Sequence, residues 1–79
     1  NEWVNDQVKR EVNNKLFEAM TYLDNGFPQS ARNAVNYIRK KKDSAAKING
    51  ELSTFFRYVE DKYISDIDKW INSSENRRL

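Results

Sequence analysis

The chain predicts an all-α fold, a three-helix bundle, and three observations carry that prediction. From 51 to 72, Leu52, Phe55, Phe56, Val59, Tyr63, Ile67, Trp70 and Ile71 recur at steps of three and four, the spacing of a helix with one apolar face. Two segments upstream repeat that period. The only two glycines, Gly26 and Gly50, fall between the periodic segments, where they divide the chain into three.

The first helix is predicted from about 2 to 24. Val4, Val8, Val12, Leu16, Ala19, Met20 and Leu23 fall within one arc when each residue turns about 100°. Asp6 with Arg10, and Glu11 with Lys15, are acid-before-base pairs at the four-residue spacing that supports an exposed face. Asn25-Gly26 then stops the helix, because glycine accepts the left-handed conformation of a helix end. Pro28 suits the first position of the next helix.

The second helix is predicted from 28 to 48, with an inner face of Ala31, Ala34, Val35, Ile38, Ala45 and Ala46. Those small residues let a neighbouring helix come close. Lys42 falls in the middle of this face. Either its stem snorkels past the core or the helix breaks near Asp43-Ser44, and one continuous helix is the reading taken here. Asn49-Gly50 closes it. The third helix runs from 51 to 72, and the aperiodic tail from about 73 is expected to fray. Two short turns make each successive helix antiparallel to the last. The predicted core is Val4, Val8, Val12, Leu16, Leu23, Val35, Ile38, Leu52, Phe55, Phe56, Val59, Tyr63, Ile67 and Trp70.

Seventy-nine residues make one domain, close to the size at which a single core is just sufficient. The chain has no cysteine, so no disulfide holds it, and no histidine, which removes the commonest general base and metal ligand together. Acids close in sequence, such as Asp66 and Asp68 two positions apart, point to different faces of a helix, and neither glycine belongs to a phosphate loop. The expectation is therefore a protein that is not an enzyme and needs no cofactor or metal. No apolar run is long enough to predict a membrane span, and no signal peptide is recognisable. The chain opens on Asn1, as a fragment with its targeting segment removed would.

Several large apolar residues fall off the inner arc. Trp3 and Phe17 lie on the far side of helix one, Tyr37 and Ile48 on a flank of helix two, and Tyr58 away from the stripe of helix three. Such rings either cover the seams of a small core or form a contact surface for a protein partner. Phe17, in mid-helix, is the most informative. Charge is uneven as well: residues 28–50 hold six bases against Asp43 alone, on a chain of net charge +2. Arg39, Lys40, Lys41 and Lys42 form either a solvated rim, a contact for an acidic protein segment, or a contact for nucleic-acid phosphate.

The order of features resembles the KIX domain, the three-helix module of transcriptional coactivators. Val12 with Lys15-Leu16 and Ala19 stand in helix one, and Asn33, Val35 and Tyr37 precede the basic run in helix two. Phe55-Phe56 follow Tyr37 by eighteen positions and lead into Val59, Lys62 and Tyr63, and the chain closes on an arginine-rich end. The resemblance implies a groove between helices one and three, lined by Val12, Lys15, Leu16, Phe56, Val59 and Tyr63, that accepts a partner's amphipathic helix. The chain departs from the family pattern at Glu60, Ile64 and Lys41. The expected function is a protein-interaction module contacting its partner through those residues with Phe17, Tyr37 and Tyr58. Nucleic-acid binding by helix two is the alternative, and self-association through the outward rings is a third class. The resemblance implies a nuclear location; a bacterial secreted or surface module fits the composition equally.

Overall fold

The computed structural model describes residues 2–45 and 50–77. Among these, every residue except Asn25, Gly26 and Phe27 is helical, and the chain is a three-helix bundle measuring 46 × 17 × 17 Å. Helix α1 covers Glu2–Asp24 and α2 covers Pro28–Ala45. The third rod comprises α3 (Gly50–Val59), one π-helical turn (Glu60–Ile64) and α4 (Ser65–Arg77).

The first turn forms as its residues dictate. Gly26 takes φ +84°, the Gly26 amide donates to the Leu23 carbonyl and the Phe27 amide to the Tyr22 carbonyl. That is the paired bonding of a Schellman cap, and it satisfies two carbonyls that α1 leaves open. Pro28 follows at the head of α2, where its missing amide costs nothing, while the Ala31 amide reaches back to the Phe27 carbonyl.

Core formation follows the helical period in α1, α2 and α3. Val8, Val12, Leu16 and Ala19 from α1 meet Ala31, Ala34, Val35 and Ile38 from α2 and Leu52, Phe56 and Val59 from α3. Ala19 and Ala31 have no exposed surface, so small side chains do sit at the packed faces. Helix α2 continues through Asp43-Ser44 to Ala45, without the break considered above, and Lys42 is exposed and not on the inner face. The side chain of Ala45, and Ala46, Ile48 and the turn at Asn49, lie outside the described residues.

The third rod departs from the prediction at one place. Tyr63 and Trp70, expected in the core, are 43% and 49% exposed, while Ile64 is buried at 2%. The buried series is Leu52, Phe56, Val59, Ile64, Ile67 and Ile71, with steps of four, three, five, three and four. A step of five misses the apolar face of an α-helix. The π turn absorbs the extra residue through wider i→i+5 bonding, including Ser65 N–H to the Glu60 carbonyl. Backbone angles stay right-handed helical at both ends of the turn, so the rod runs on. Helix α4 also reaches Arg77, past the point where fraying was expected, because Glu75 is tied to Arg32 of α2.

Candidate interaction surface

Three rods make three seams, and side chains close them differently. Between α1 and α2, the Tyr37 hydroxyl donates to Glu11, Lys41 pairs with Glu11 at 3.3 Å, and the Lys15 ammonium lies 4.7 Å from the centre of the Tyr37 ring. Lys15 also pairs with Glu18 at 3.2 Å. The two four-residue pairs read from the sequence do not form. Glu11 turns to α2 instead of Lys15, and Asp6 and Arg10 make no ion pair among the described residues.

Between α2 and the third rod, Arg39 reaches Asp68 at 2.6 Å and Glu60 at 3.3 Å. The hydrogen bond that Arg39 donates to Asp68 outweighs partial desolvation, so the guanidinium pKa rises above its ordinary value. Arg32 bonds Asn72 at 3.0 Å and pairs with Glu75. Glu60 and Asp68 can share one guanidinium because of the π turn. Eight residues of plain α-helix would set them about 80° apart, and the extra residue brings them nearly into line.

The third seam, between α1 and the third rod, is bridged by polar contacts at one end. Near the chain start, Glu51 accepts hydrogen bonds from Asn5 and Lys9, and the Lys9 ammonium lies 5.7 Å from the Phe55 ring centre. Near the C-terminal ends of α1 and α4 the same seam is an open groove of about 480 Å³. Met20, Leu23 and Trp70 line its apolar part, with Asp24, Ser73, Ser74 and Arg77 at the rim.

The residues singled out in the sequence separate into three environments. Val12, Leu16, Phe56 and Val59 are closed inside the core and line no open groove. Lys15 and Tyr37 come together on the α1–α2 seam. Tyr58 and Tyr63 also meet, edge to face with ring centres 6.0 Å apart, on the outside of the π turn. A hydrogen bond with Tyr58 pushes the Tyr63 phenol pKa up. Phe17 stands alone at 74% exposure, as its place on the helical wheel required. Of the basic run, Arg39 and Lys41 are held by carboxylates from other rods, and Lys40 and Lys42 are exposed.

Met20, Leu23 and Trp70 were all read as inward-facing. Leu23 is partly buried against the core, whereas Met20 and Trp70 are exposed. For Trp70 the signal was its adjacency to Ile71, since neighbouring residues leave a helix about 100° apart. Ile64, Ile67 and Ile71 form the alternative stripe. Among the described residues, no group of three acidic side chains could hold a metal ion, and no helix is long and apolar enough to cross a membrane. Protein-family models, curated proteins and solved structures give no match to this chain.

Proposed function

We propose that this bundle is a non-enzymatic protein-interaction module that seats an amphipathic helix of a partner protein between α1 and α4. One observation carries the reading. The seam between α2 and the third rod is latched by ion pairs along its length. The α1–α2 seam is tied by Glu11 to Lys41 and keeps a smaller opening of about 220 Å³ walled by Lys15, Glu18, Tyr22 and Asn33. The third seam, by contrast, is open near the C-terminal ends of α1 and α4 and is lined by Met20, Leu23 and Trp70. An open apolar groove with a polar rim is the form in which helical surfaces take up a partner's i and i+3 or i+4 side chains. Trp70 is the anchor, as a large ring with a polar N–H at the edge of a concave surface. Asp24 and Arg77 offer the partner one charge of each sign at the rim.

The KIX-like expectation uses the same pair of rods at a different level. Four of its six lining residues, Val12, Leu16, Phe56 and Val59, are sealed in this bundle, and the groove lies about two turns further along, at Met20 instead of Val12. A nucleic-acid-binding face on α2 has less support. Arg32, Arg39 and Lys41 already face carboxylates, leaving Lys40 and Lys42 as its exposed cations among the described residues.

Selection of helical peptides from a displayed library on the wild-type bundle tests the proposal. Enriched peptides should shift the amide resonances of α1 and α4 around Met20 and Trp70. Trp70→Ala should weaken them about tenfold or more, the 1.4 kcal/mol or greater loss of an interface anchor. Peptides that bind equally well to Trp70→Ala, or that shift only α2, would end this reading.

A further inference from the structure

Arg10, Phe17 and Asp24 follow one another on α1 at intervals of seven residues. Seven residues are almost two whole turns, so the three side chains leave the helix nearly in line. The line faces away from the buried arc of Val8, Val12, Leu16 and Ala19, and all three residues are exposed. Phe17 is the most exposed large apolar side chain among the described residues. Neither Arg10 nor Asp24 has an ion-pair partner among those residues.

The charges indicate what covers this line. A cation stands two turns before the ring and an anion two turns after it. Laid antiparallel on a second copy, with a two-fold axis at Phe17, the line places ring on ring and each Arg10 opposite Asp24 of the other copy. An isologous contact needs this kind of self-complementarity. Parallel pairing would oppose like charges. Asp24 adds a further reason. It sits in the last turn of α1, where the helix end is already partly negative and no basic residue compensates it. A cation from a second copy would answer both.

We propose that the chain pairs with a second copy of itself, antiparallel along the outer line of α1, through a Phe17–Phe17 contact flanked by two Arg10–Asp24 ion pairs. The contact spans about 21 Å of helix at 1.5 Å per residue. It is narrow and belongs with weak, transient interfaces. It shares Asp24 with the rim of the groove, but Arg10 and Phe17 lie outside the groove, and the contact stands whether or not the groove takes a helix.

Sedimentation equilibrium of the full chain over a concentration range up to about 1 mM, the limit of weak specific association, tests the proposal. Circular dichroism should confirm that each variant remains helical. The wild-type mass should rise from 9.4 kDa towards twice that value with concentration. Phe17→Ala should weaken association about tenfold or more. Arg10→Asp and Asp24→Arg should each weaken it about tenfold, and the double variant should recover to within about threefold of wild type, because the swap restores opposite charges across the axis. A wild-type chain that stays monomeric up to about 1 mM overturns the proposal. So does a dimer in which the double swap recovers nothing.

Discussion

Ile64 lies five residues beyond Val59, and both are sealed in the core, with the π turn starting just after Val59 and ending on Ile64. Counted from Leu52, the buried series would be regular if one residue of that turn were absent. Removing Asp61, an exposed residue, would change the steps to four, three, four, three and four, the spacing of a continuous α-helix. It would also leave Glu60 and Asp68 seven residues apart, still in line on Arg39. Deletion of Asp61 should therefore give a folded, helical bundle whose melting temperature equals or exceeds that of wild type. Deletion of Asn13 is the contrasting case, because it rotates Leu16, Ala19 and Leu23 about 100° out of the core and should abolish cooperative unfolding. If circular dichroism melts show the two deletions equally damaging, the π turn is required by the fold and the spacing argument is wrong.

Two phenylalanines on different rods separate core from surface. Phe56 is buried at 2% exposure and packs edge to face on Phe55, whereas Phe17 stands in solvent. Phe56→Ala should cost about 3–5 kcal/mol, the transfer free energy plus the cavity left behind. That is a large share of the stability of any domain this small. Phe17→Ala should change the stability of the dilute chain by no more than about 0.5 kcal/mol. Urea unfolding at low concentration measures both. A loss of several kcal/mol at Phe17 would place its ring inside the bundle and remove it from any contact surface.

Arg39 was legible in the sequence only as one of four adjacent cations, yet it holds α2 to the third rod through both Asp68 and Glu60. Replacement by Met keeps most of the aliphatic stem and removes the charge. Two carboxylates are then left facing each other. The site is partly exposed, so solvent screening limits the loss to about 1 kcal/mol. The difference between wild type and Arg39→Met should narrow as salt is added, because screening weakens both the lost attraction and the new repulsion. A gap in unfolding free energy that salt does not change would mean that Arg39 acts by packing alone.

What the sequence reveals and what it hides divide along physical lines. The end of α1 could be read because Asn25, Gly26 and Pro28 act locally, through backbone conformation and missing amides. Apart from Met20 and Lys42, which are exposed, the inner faces of α1 and α2 could be read among the described residues because each follows one helical period. Beyond Val59 the reading held for Ile67 and Ile71 and failed for Tyr63, Ile64 and Trp70, since Tyr63 and Trp70 satisfy the α-helical period as well as Ile64, Ile67 and Ile71 satisfy the shifted one. Only packing decides between them, and it favours the compact isoleucines. The outward position of Phe17 and Tyr58 was visible because each lies off an unambiguous stripe. The fate of the basic run was not, because the carboxylates that meet it, Glu11, Glu60 and Asp68, come from other rods.

Glu51 opens the third rod and ties it to α1 by accepting hydrogen bonds from Lys9 and Asn5. The bond from Lys9 and its positive charge are the main reasons the Glu51 pKa lies below the ordinary 4.5. A carboxylate whose pKa falls on folding binds fewer protons in the native state than in the unfolded one around that pH. Its contribution to stability is therefore present in full above 4.5 and is lost as pH falls through the lower, folded value. Glu51→Gln removes the titrating group while leaving an oxygen that Asn5 can still reach. The variant should be less stable than wild type at neutral pH, and the gap should close in acid. Thermal melts from neutral pH down to about pH 2, below the ordinary range of carboxylates, measure that gap. Two curves that run parallel over the whole range would show that Glu51 makes no charge-dependent contact holding α1 to α3.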